Sequence, residues 1–147
     1  MTSLLLSSDS FKSFLPSFPA ADGDQAHNTP ARRVLVVDDE VIIADTIVQI
    51  LNRNGFIAEA AYSGAEAIEC ARRNCPELVL SDVLMPQIDG VEAAIQISKL
   101  CPETRIVLFS GQAATVEILS RARERGYTFE LLPKPIHPTL LLEHLRS

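Results

Sequence analysis

From residue 33 onward the chain alternates two hydrophobic rhythms. RVLVV (33–37) is a continuous, β-branched apolar run of the kind buried on both faces of a parallel sheet, and it stops at Asp38-Asp39. Over 41–54, Val41, Ala44, Ile47, Val48 and Leu51 recur at helical spacing, and Asn54-Gly55 supplies a C-terminal stop. FIAEAA (56–61) reads as a second strand. Ser63-Gly64-Ala65-Glu66 is a capping box, with Ser63 as N-cap and Glu66 reaching back to its amide, and the helix it opens runs to about Asn74, before Pro76. The same alternation continues through ELVLSD, GVEAAIQISKLC, RIVLFS, AATVEILSRARER (stopped by Gly126), FELL and PTLLLEHLR. Five strands alternating with five helices imply right-handed crossovers and a parallel sheet covered on both faces, an α/β doubly wound class. A closed eight-stranded barrel needs about twice this length. No Gly-x-Gly-x-x-Gly or P-loop follows the first strand, so a nucleotide site lacks its phosphate cradle.

Residues 1–31 show neither period and are dominated by Ser, Pro, Asp, Gly and Asn, which predicts a flexible tail ahead of a domain at 32–147. The tail is expected to take no part in folding or phosphorylation. Phe11, Phe14, Leu15 and Phe18 are the exception, able to dock on a partner or on the domain. MTSLLLSS has no basic n-region and too short an apolar core for a secretory leader. The whole chain carries 19 acidic against 13 basic side chains, a net charge of -6, and the first 33 residues balance three acids against three bases. Residues 34–147 thus hold the entire excess, which argues against direct nucleic-acid binding. Apolar runs fall far short of the ~20 residues that cross a bilayer. Cys70, Cys75 and Cys101 are odd in number and contain no Cys-x-x-Cys pair, so reduced, cytoplasmic thiols are expected, with neither a disulfide framework nor a zinc site. His27, His137 and His144 have no metal-ligand spacing.

Ligands of open α/β sheets bind beyond the carboxyl ends of the strands. Those ends carry Asp38-Asp39, Ser81-Asp82, Ser110-Gly111 and Lys134-Pro135. Three carboxylates converge if strands one and three are neighbours, as in the order 2-1-3-4-5. Clustered carboxylates need a cation or a proton, and hard oxygen ligands with open positions suit Mg²⁺ and a phosphoryl group. Each residue also has a plainer explanation, since Asp is common at strand ends, N-caps and turns such as Asp89-Gly90. Asp82 and Lys134-Pro135 in one chain are not covered by it.

In this order VLVVDDE, LSDVLMPQIDG, VLFSG and LPKP resemble the receiver domains of bacterial two-component response regulators, over residues 33 to about 146. The resemblance implies a flavodoxin-like (βα)5 fold of order 2-1-3-4-5, with Asp82 as phosphoacceptor for a sensor histidine kinase or phosphotransfer protein. It makes Asp39, Asp82 and the carbonyl of Leu84 ligands of Mg²⁺, with Asp38 acting directly or through water. Lys134 would pair with the phosphoryl oxygens, Ser110 would donate a hydroxyl hydrogen bond and move as the switch, and Lys134-Pro135 would be cis. The family's strand-five aromatic is replaced by Leu131, so Leu131 is expected to keep one rotamer while the loop at 111–114 and the fourth helix change more than the fifth. Output is expected through an unknown downstream protein. Two alternatives stand beside a free-standing phosphorylation switch: the receiver part of a longer DNA-binding regulator, and a small Mg²⁺-dependent phosphohydrolase.

Overall fold

A computed structural model describes residues 31–111 and 115–147; the expected tail, and 112–114 of the expected switch loop, lie outside them. Strands β1 (Arg33–Val37), β2 (Ile57–Ala61), β3 (Leu78–Asp82), β4 (Arg105–Ser110) and β5 (Glu130–Pro133) alternate with helices α1 (Val41–Arg53), α2 (Gly64–Arg73), α3 (Gly90–Leu100), α4 (Thr115–Glu124) and α5 (Pro138–Arg146). All strand pairs are parallel and the order is β2-β1-β3-β4-β5, as expected. The unbroken apolar strands divide their side chains between two cores. Val34, Val36, Leu78, Leu80, Val107 and Phe109 pack with α1 and α5. Leu35, Val37, Val79 and Leu108 point the other way and pack with α2, α3 and α4. Period-two alternation inside a continuous hydrophobic run is what a sheet covered on both faces requires.

The register Val37↔Ser81 and Asp82↔Phe109 brings the ends of β1, β3 and β4 to one rim of the sheet. Local signals set most boundaries. Gly55 takes φ +91° after α1, and the Phe56 amide donates to the Leu51 carbonyl (3.1 Å), closing the helix with a left-handed residue. Asp89 caps α3 by accepting from the Glu92 amide at 2.8 Å. The edge strand β2 is shielded by its own crossover: Asn52 accepts from the Ala58 amide (2.7 Å) and donates to the Ala58 carbonyl (3.4 Å).

Two expectations are corrected. Ser63 does accept from the Glu66 amide (3.0 Å), but Glu66 reaches back to the amide of Tyr62 (2.7 Å), one residue earlier than the capping box predicts. Cys75 and Cys101 form a disulfide, leaving Cys70 free. Consecutive right-handed βα units lay α2 and α3 side by side in the same direction, so their carboxyl ends, and the cysteines just beyond them, meet across 26 residues of sequence. No spacing motif encodes that proximity. Among the described residues no helix is long and apolar enough to cross a membrane.

Candidate functional site

The rim of the sheet gathers Asp38, Asp39 and Asp82, whose nearest carboxylate oxygens all lie within 4.8 Å of one another. Asp38 is fully buried and Asp82 nearly so, while Asp39 is exposed. Apolar strand residues carry the chain to this rim and the acids begin where the strands stop. One oxygen of Asp38 accepts from the Glu40 amide (2.9 Å); the other, Oδ2, is buried and has no hydrogen-bond partner among the described residues. Burial pushes the Asp38 carboxyl up to about 6, helped by the charge of Asp82 and opposed by the Glu40 amide and Lys134. Burial also raises Asp82, against the charge and hydrogen bond of Lys134. An orphaned carboxylate oxygen facing two further acids needs positive charge, so this donor set fits a hard divalent cation.

Lys134 supplies part of that charge. Its ammonium lies 3.4 Å from Asp82 Oδ2 and 5.1 Å from the centroid of the Phe109 ring. The Lys134 amide donates to the Ser110 carbonyl (3.3 Å), which extends the β4–β5 ladder to the rim, and Lys134-Pro135 is cis, as expected. Ser110 is buried at the end of β4 and lines the same cavity as Asp39, Asp82, Leu84 and Lys134. The Leu84 amide lies 3.4 Å from Asp82 Oδ1, so the loop after β3 turns back over the acid that precedes it. That turn depends on Gly90, whose amide donates to the Val83 carbonyl at 2.7 Å; a Cβ at this position would sit 1.9 Å from the Asp82 carbonyl oxygen.

The structure thus brings together Asp38, Asp39, Asp82, Leu84, Ser110 and Lys134. Leu131 is not among them: it lies on β5, 41% exposed, beside Leu108 in register and outside the lining of the cavity. Sequence reasoning missed Phe109 as the ring beneath Lys134, because it reads simply as a core residue of β4. It also missed the close approach at Gly90, for which a glycine opening a helix was the available signal. The arrangement sets three carboxylates, two of them buried, beside one ammonium at one rim of the sheet.

A family model for the response regulator receiver domain matches residues 34–146. The chain is similar to the chemotaxis protein CheY of Bacillus subtilis, 31% identical over 118 residues that cover 80% of this chain and 97% of that protein. It is 35% identical over 111 residues to the transcriptional regulatory protein PdtaR of Mycobacterium tuberculosis, of which it covers only 51%. The CheY-like receiver domain protein of Methanospirillum hungatei superposes with a TM-score of 0.71 at 28% identity, over 79% of this chain and 91% of that one. With matching sheet order, matching extent and this level of identity, the chain belongs to the receiver domain family of two-component response regulators.

Proposed function

We propose that this receiver is a phosphorylation-activated switch in which Asp82 accepts a phosphoryl group from a phosphohistidine of a sensor histidine kinase or phosphotransfer protein. An oxygen of Asp82 attacks the phosphorus, the P–N bond breaks, and the histidine leaves with the bonding pair; the product is an aspartyl phosphate. Asp38, Asp39, Asp82 and the carbonyl of Leu84 would hold Mg²⁺, which when bound supplies positive charge to the phosphoryl oxygens. Lys134 holds the Asp82 carboxylate before transfer and pairs with a phosphoryl oxygen after it. Ser110 donates its hydroxyl to another. Gly111 keeps the approach open, since even a Cβ there would touch the Lys134 side chain at 3.4 Å. The observation that carries the reading is the buried Asp82 with Lys134 at 3.4 Å and two further acids within reach. The chain would act in the cytoplasm beside its donor and signal through a downstream protein, without contacting nucleic acid itself.

Incubation with acetyl phosphate and Mg²⁺ followed by intact-mass measurement tests this: one phosphoryl group is expected on the wild-type chain and none on Asp82→Asn. Full labelling of that variant, or of wild type in excess chelator, refutes the assignment. A second reading, the receiver part of a longer regulator, is favoured by the half-length match to PdtaR. A reading frame continuing into an output domain would decide for it.

A further inference from the structure

The cavity at the rim, about 1000 Å³, does not end at the phosphoacceptor. It runs on between α1 and α5, lined by Ile42, Ile43 and Ile136, with the buried core residues Ile47, Ile50 and Leu141 at its floor. Ile42 is 40% exposed, and Leu84 at the mouth is 39% exposed. Phosphoryl transfer as proposed uses none of the isoleucines. The foot of this groove is where the described chain begins. Arg32 donates to the Leu145 carbonyl in the last turn of α5 and lies over the Phe56 ring, which Arg146 also covers. Arg146 in turn donates to the Asn54 carbonyl at the end of α1 (2.8 Å). Arg32 therefore sits between the carboxyl ends of the two helices that form the groove.

We propose that the segment carrying Phe11, Phe14, Leu15 and Phe18 docks in the α1–α5 groove and covers the phosphoacceptor pocket, so that the chain competes with its own phosphodonor; the second half of this statement rests on the function proposed for Asp82. Reach is ample. Residues 19–31 separate Phe18 from Arg32, and thirteen residues extend to about 44 Å, whereas the stretch of α1 from Ile50 to Ile42 rises only about 12 Å. A tether of that length holds the segment at an effective concentration of order millimolar, so a weak apolar contact suffices and the chain's own segment outcompetes a second copy at ordinary concentrations. Four large apolar side chains in a stretch otherwise made of Lys, Ser and Pro match an apolar groove. Lys12, the one basic residue before Arg32, adjoins Phe11 and complements the exposed Asp39 and Glu40 at the mouth.

The test uses the full chain, with isoleucine methyl NMR on wild type and on the variant combining Phe11→Ser, Phe14→Ser, Leu15→Ser and Phe18→Ser. Docking predicts shift changes at Ile42, Ile43 and Ile47 but not at Ile95, in the core on the other face, and recovery of the wild-type shifts when a synthetic peptide of residues 8–20 is added to the variant. If the docked state is about 90% populated, labelling by acetyl phosphate with Mg²⁺ should be about tenfold faster in the variant. Identical methyl spectra overturn the proposal, as do wild-type groove shifts that change with protein concentration, which would assign the groove to a second copy. Shifts at the groove with equal labelling rates overturn the competition. Absence of labelling in both chains, with the groove shifts present, overturns the role of Asp82 and leaves docking supported.

Discussion

At the scale of single residues the site is shaped by one buried carboxylate with an unused oxygen. Asp38 titrates near 6 in the folded chain against 3.8 for an ordinary aspartate, so the folded state holds the proton more tightly than the unfolded state does. Its contribution is therefore most favourable below about pH 4 and is lost as pH rises through about 6, the reverse of an ion-paired carboxylate. In metal-free buffer Asp38→Asn should be more stable than wild type at pH 7, on the order of 3 kcal/mol, with the difference vanishing near pH 4. Urea midpoints at the two pH values check it, and a variant that is less stable at pH 7 would show that the acid is satisfied in some other way. Saturating Mg²⁺ should stabilise wild type and not the variant. Lys134→Ala removes the ammonium beside Asp82 and should slow labelling of Asp82 by at least tenfold while leaving the chain folded. Rates from intact mass and a far-UV spectrum test the two parts separately. A receiver-like signature made these residues legible because each ends a strand or directly follows one; Phe109, embedded in a strand, gave no such signal.

At the scale of elements, two features hold the helices in place on the sheet. Gly90 lets α3 begin against the β3 backbone, and a methyl group there would overlap the Asp82 carbonyl. Gly90→Ala should cost on the order of 3 kcal/mol or shift the loop after β3, seen as a lower Tm together with slower labelling. Unchanged values of both would mean that the contact relaxes freely. The Cys75–Cys101 disulfide closes a separation of 26 residues, a loop whose closure entropy corresponds to about 3.5 kcal/mol. Reduction, or Cys75→Ser with Cys101→Ser, should lower stability by that order and leave labelling intact, because the bond lies beyond the carboxyl ends of α2 and α3 and the site at the opposite rim. The elements themselves were legible: hydrophobic period and the stops at Asn54-Gly55, Pro76 and Gly126 place all ten. The disulfide was not, since pairing depends on two parallel helices ending side by side, which is a property of the topology and not of any local spacing.

At the scale of the whole molecule, the fold puts its two cores on opposite faces of one sheet and opens the site at the rim between them. The sheet order was readable through the resemblance to receiver domains, which implies 2-1-3-4-5; strict βα alternation gives a parallel sheet, and acids at the ends of strands one and three agree with that order without fixing it. The α1–α5 groove was not readable, because half of its lining is ordinary helix periodicity and only the packed fold shows that Ile42 stays exposed while Ile47 and Ile50 are buried. The shielding of β2 by Asn52 bears on how copies of this chain meet each other. A lateral strand otherwise presents free amides and carbonyls to any incoming chain, the starting point of fibrillar aggregation. Here one side-chain amide occupies both backbone groups of Ala58, the second residue of the strand. Lateral growth of the sheet is thereby interrupted, and reversible assembly is left to the helical faces. Asn52→Ala should refold with the same secondary structure but scatter light at concentrations where wild type remains clear. Equal turbidity would place the safeguard elsewhere, in the charge of Glu59 or the twist of the strand.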